Sequence, residues 1–144
     1  MHRLLTPTPA RVDMALLTLR VVTGLVMMMH GWQKVFEYGF AGVSQGFAGM
    51  GIPMPGIMGP FIALLELIGG IALIIGLLTP VFAALLAADM VGAILFVHLK
   101  NGFFLPQGYE FALILLAACA ALALAGAGRI SVDGLLAERR PSRS

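Results

Sequence analysis

Residues 14–34 read MALLTLRVVTGLVMMMHGWQK. From Met14 to Met29 the run carries one charge, Arg20. A helix needs about 20 mostly apolar residues to cross the hydrocarbon core of a bilayer, and this run has that length. Its Leu, Met and Ala content suits a helix rather than a strand. Lipid strengthens the choice, because every backbone N–H and C=O must be satisfied within the segment.

The same reading applies along the rest of the chain. Four spans are predicted, over residues 14–33, 57–77, 80–98 and 110–127. The breaks between them are rich in Gly and Pro. In the second break, Thr79 is placed to cap the next helix and Pro80 to occupy its first turn. Phe36, Phe40, Val43 and Phe47 recur at helical spacing in the first break, which predicts a short helix lying at the interface, stopped by Gly49, Gly51 and Pro53. The expected architecture is all-α: an integral membrane four-helix transmembrane bundle with a short interfacial helix between spans 1 and 2.

Composition agrees. Of 144 residues, 60% are hydrophobic and 11% charged, against roughly 45–50% and about 25% in soluble domains. Mean hydropathy is +0.98. A domain this small has too much surface to hide that apolar area from water, so a soluble globule is excluded, as is a disordered chain. The net charge of +2 does not suggest nucleic acid, since the basic residues concentrate in the tails. Arg3, Arg11, Arg129, Arg139, Arg140 and Arg143 flank the spans, while only Lys34 and Lys100 lie in the first and third connections. The positive-inside rule then puts both termini in the cytoplasm of a multi-pass plasma-membrane protein. Residues 1–13 form a cytoplasmic tail, 14–133 the transmembrane domain and 134–144 a basic cytoplasmic tail. The polar start followed by a full-length span predicts an anchor rather than a cleaved signal peptide. The single cysteine, Cys119, excludes dithiol chemistry within the chain and reads as an inert buried thiol.

Ionisable residues inside spans each cost roughly 2.5–3.5 kcal/mol on insertion and should not stand alone. Arg20 shares a helical stripe with Gly24, Met27 and Gly31, and Glu66 shares one with Gly59 and Gly70. Glycines let helices approach, so Arg20 is expected to face Glu66 and pair with it, either fixing the packing or anchoring a ligand. Asp89 adds a second carboxyl to this buried polar core, and one of the two should then hold a proton. A second cluster is expected near the outer face: His30 and Lys34, four residues apart, with His98 and Glu110 at similar depth. His98 lies half a turn out of phase with Asp89 unless the helix bends. Two histidines without a fixed-spacing motif disfavour haem or metal. Trp32, Phe36, Tyr38, Phe40, Phe96, Phe103, Phe104, Tyr109 and Phe111 gather on the outer side. They form either an interfacial belt or the lining for a flat apolar ligand such as a quinone. Ala-rich stretches in spans three and four permit close packing with each other or with partner helices. The glycines do not form a phosphate loop, and neither a Ser/His/Asp set nor HExxH occurs.

These residues together resemble the DoxX family of small four-helix membrane proteins. The likeness runs from Arg20 and His30-Gly31-Trp32-Gln33-Lys34, through GMGIP at 49–53 and the E..GG....GL.T pattern (Glu66, Gly69, Gly70, Gly76, Leu77, Thr79), to Gly126, Gly128, Ser131 and Asp133. It implies a plasma-membrane protein in which Arg20, His30, Lys34 and Glu66 occupy the family's polar positions. It further implies a place in a quinone-linked oxidoreductase or oxidative-stress system. The other readings are an accessory or assembly subunit of a larger membrane redox complex, a homo-oligomer included, and a proton-coupled small-molecule transporter. The bilayer is the partner common to all of them.

Overall fold

The computed structural model describes residues 6–139. Arg3, Arg140 and Arg143, used above for orientation, lie outside them. Among the described residues every regular element is helical. Helix α1 spans Pro9–Trp32. It begins before the apolar run because Thr8 caps it, accepting a hydrogen bond from the Arg11 N–H at 3.4 Å, and Pro9 fits its first turn. A π-helical segment, Gln33–Tyr38, carries α1 to Gly39, where φ of 67° turns the chain into α2, Gly39–Gly49. The short helix expected in the first connection is therefore present, joined to α1 without a loop.

Helix α3 covers Pro55–Ile75 and ends at Gly76 in the left-handed conformation that glycine tolerates. Helix α4, Thr79–Ala93, continues as a π-helical segment, Ile94–His98, and a 3-10 turn, Leu99–Asn101. Helix α5 is Glu110–Ala125 and α6 is the short Val132–Glu138. The continuous runs Pro9–Gly49, Pro55–Ile75 and Thr79–Asn101 are each long and apolar enough to cross a membrane. Helix α5 is apolar but has only 16 residues, about 24 Å of rise.

Packing divides the helices into two close pairs, α1 with α3 and α4 with α5. Glycine sets the first contact. A Cβ added to Gly24 would lie 2.6 Å from the Gly70 carbonyl oxygen, and one added to Gly70 would lie 2.7 Å from Met28 Cα. The buried face of α1 is Arg20, Thr23, Gly24, Met27 and Gly31, the stripe expected from the sequence. Around the shared core of Met27, Leu65, Leu73, Leu86, Leu115 and Leu122, the outer faces present Val22, Leu25, Ile68, Ile71, Val81 and Ile114. An apolar exterior over a small core is what lipid as solvent selects. Cys119 is fully buried in that core.

The end of the molecule holding the α3–α4 turn is tied by the chain's last described segment. Asp133 accepts from the N–H groups of Leu78 and Thr79, both at 2.8 Å, and donates its own N–H to the Gly76 carbonyl. The cap of α4 is thus Asp133 from 54 residues away, not Thr79, whose hydroxyl is buried without a hydrogen-bond partner. Asp13 of α1 accepts from the Arg129 N–H at 2.9 Å, so three separate stretches of sequence close this end together.

Candidate functional site

The antiparallel register of α1 and α3 decides which polar groups meet. Gly24 lies against Gly70 and Ile74, and Gly31 against Glu66 and Leu67. Continued in one direction, that register puts Arg20 beside Gly76; in the other, it puts Glu66 within reach of the turn after Gly31. The expected Arg20–Glu66 pair therefore does not form. Helical stripes identified the right faces but could not fix their offset along the axis.

Arg20 belongs to the α3–α4 turn. Only 1% exposed, it donates from Nη2 to the Ile130 carbonyl at 2.6 Å. Its guanidinium lies so close to Gly76 that any side chain there would collide with it.

Glu66 pairs with Lys34 instead. Its side chain is 5% exposed and that of Lys34 21%, so the pair sits at the edge of the interior. Asp89, on α4, faces the same cavity as Glu66. Its Oδ2 is buried with no hydrogen-bond partner.

These groups face one cavity of about 590 Å³. His30, Lys34, Glu66, Asp89 and His98 supply its ionisable lining. Met27, Met58, Met90, Phe61, Phe96 and Phe111 are among its apolar walls. Phe47 and Met50 of α2, with Ile52 and Pro53, cover one end; Leu105, Pro106 and Gly108 complete the cover from the α4–α5 connection. The structure thus regroups the expected clusters. Glu66 and Asp89 join His30, Lys34 and His98, while Arg20 and Glu110 leave. Glu110 instead accepts from the Leu105 N–H at 2.6 Å and holds the connection in place.

His98 and Asp89 line the same cavity because α4 changes to π geometry over Ile94–His98. The wider turn shifts the phase of the following residues, and such segments often occur where a side chain must be re-aimed. The His98 Nδ1 lies 3.0 Å from the Gln107 carbonyl, which can only accept, so Nδ1–H is the donor of this bond. His30 stacks loosely on Phe111, ring centres 6.4 Å apart. The aromatic residues fall into two groups. Phe96 and Phe111 line the cavity, while Trp32 packs on Phe36 at 4.3 Å and Phe103 on Phe104 and Tyr109 at 5.2 and 5.3 Å.

Sequence reading missed the methionines of the cavity wall and the α2 cover. GMGIP was visible as a motif, and its Met50, Ile52 and Pro53 prove to close the cavity. Among the described residues no group of three or more His, Cys, Asp or Glu side chains is arranged to hold a metal ion.

Apolar helices long enough to cross a bilayer, with ionisable side chains gathered between them, define a polytopic helical membrane protein. The DoxX family model matches residues 15–99, and the chain belongs to the DoxX family. It is 37% identical over 121 residues to the Bacillus subtilis protein named "Putative oxidoreductase CatD", covering 84% of this chain and 86% of that one. It is 30% identical over 136 residues to the Mycobacterium tuberculosis uncharacterized membrane protein Rv3486, covering 87% and 83%. It is also 37% identical over 67 residues to the inner membrane protein YqjF of Escherichia coli, covering 46% and 48%. No solved structure matches the chain.

Proposed function

We propose that this protein is a membrane component of a quinone-linked oxidoreductase system and that its cavity holds the quinone ring. In this reading α1, α3, α4 with its π extension, and α5 form a four-helix transmembrane bundle in the plasma membrane, with both termini cytoplasmic. The bias of Arg to the tails supports the orientation. The name of the Bacillus subtilis relative supports redox chemistry, and that of the Escherichia coli relative supports the cytoplasmic membrane.

One observation carries the reading: a cavity with Met and Phe walls contains an ion pair and an orphaned buried carboxyl oxygen, Asp89 Oδ2. A quinone accepts hydrogen bonds at its carbonyl oxygens and takes up two electrons and two protons on reduction. Lys34 and His30 are the donors placed to hold a carbonyl oxygen. Glu66 and Asp89 bring two carboxyl groups to the same cavity, and the unpartnered Asp89 Oδ2 is the acceptor for a hydroxyl. In this reading the two electrons come from a partner redox protein in the membrane.

The test is a titration of the purified protein in lipid nanodiscs with decylubiquinone. Saturable binding is expected, weakened at least tenfold by Lys34→Gln or His30→Gln, with circular dichroism confirming retained helix. Absence of saturable binding by the wild-type protein would overturn the reading.

A further inference from the structure

The cavity has an end cover but a thin side. Helices α3 and α4 are held together near their turn, where a Cβ on Gly69 would lie 3.2 Å from Leu86 and 3.4 Å from Phe82. Their contact as a whole is sparse compared with the α1–α3 and α4–α5 pairs. The cavity is lined from both helices. Phe61 of α3, Leu85 of α4 and Phe96 of the π segment line it, yet they are 50%, 42% and 42% exposed on the lipid-facing exterior. Ala88 and Gly92, between Leu85 and Phe96 on α4, also line the cavity and place almost no bulk in that wall. Polar groups therefore lie on the inner side of an apolar slot that opens toward lipid. At the opposite seam, between α1 and α5, His30 and Phe111 stand ring to ring across the gap.

We propose that the ligand of this cavity is a membrane-dissolved molecule with a polar ring and an apolar tail, and that it enters sideways between α3 and α4 with its tail left in the slot against Phe61, Leu85 and Phe96. The proposal rests on the quinone reading of the same cavity and adds the class of quinone, one bearing a prenyl or alkyl tail, and its route. An aqueous ligand would have to pass the α2 cover; a lipid-dissolved one reaches the slot by diffusion in the bilayer plane. The tail also gains apolar contact that a bare ring lacks. Because the tail moves from lipid rather than water, its contribution to binding is packing and alignment in the slot.

The test compares dimethoxy-methyl-benzoquinone without a tail and decylubiquinone in nanodiscs, with each concentration expressed per lipid to remove partitioning. Leu85→Trp and Ala88→Trp add bulk to the slot and leave the Lys34, Glu66 and Asp89 side chains unchanged in the sequence. The tailed quinone is expected to bind at least tenfold more tightly than the bare ring, and each tryptophan to weaken it at least tenfold while leaving the bare ring unchanged. A tail-borne diazirine should label peptides holding Phe61, Leu85 or Phe96. Equal binding of both quinones, indifferent to the tryptophans, would overturn lateral entry and leave the ring site standing. Labelling confined to the His30–Phe111 seam would also overturn this route. If neither quinone binds, the quinone reading falls and this inference with it.

Discussion

Lys34 and Glu66 show how little of an interaction resides in either residue alone. The carboxyl is buried in α3, and the ammonium reaches it from just beyond α1. Removing the cation leaves the carboxyl unpaired in a low-dielectric interior, a loss of roughly 3–5 kcal/mol for fully buried pairs. Lys34 keeps partial exposure, so Lys34→Ala is expected to cost less, about 2 kcal/mol, read as a lower unfolding midpoint in mild detergent. Lys34→Met combined with Glu66→Gln should recover most of that loss; a double variant as unstable as the sum of the singles would refute the pairing. Asp89→Asn keeps shape and removes the carboxyl. It is expected to preserve the unfolding midpoint while weakening decylubiquinone binding in the nanodisc titration. Glu66 and Asp89 were legible as costly ionisable groups within apolar runs. Their partner was not, because a cation four residues after His30 reads equally well as an interfacial side chain.

At the level of elements, the α1–α3 contact depends on missing side chains. Gly70→Ala would place a methyl group against the Met28 backbone and Gly24 carbonyl. Overpacking of a tight contact costs roughly 1–3 kcal/mol, and this replacement is expected near the upper end because the obstruction is backbone. Gly42→Ala, where only Tyr38 is near at 3.6 Å, is the control expected to change little. The α4 cap is equally specific. Asp133→Ala leaves the Leu78 and Thr79 N–H groups without their acceptor and should cost about 1–2 kcal/mol, measured by thermal unfolding. Helix positions and their glycine faces could be read from periodicity. The π segments could not, since a single wide turn leaves no period of its own. The 54-residue reach from Asp133 to Thr79 was equally hidden.

For the whole molecule, the quinone reading predicts linkage between occupancy and stability. At a hundredfold excess over its dissociation constant, a single ligand stabilises the folded state by about 2.7 kcal/mol. Decylubiquinone should raise the unfolding midpoint of the wild-type protein accordingly, and much less that of Leu85→Trp. Orientation can be tested against a quiet background, because Cys119 is fully buried. Asn101→Cys should react with a membrane-impermeant maleimide in intact cells, whereas a cysteine placed in either tail should react only after the membrane is opened.

What the chain determines by itself is its solvent and its class of element. Long apolar runs cannot be satisfied in water, and lipid permits only internally hydrogen-bonded segments, so helices follow from composition and length. Periodicity further determines which face of α1 is buried. The axial offset between α1 and α3 emerges only in three dimensions, because every glycine on a stripe offers a nearly equivalent docking point and packing must choose among them. That choice sends Arg20 to the α3–α4 turn and Glu66 to Lys34, placing the ionisable groups of three continuous helical runs around one cavity.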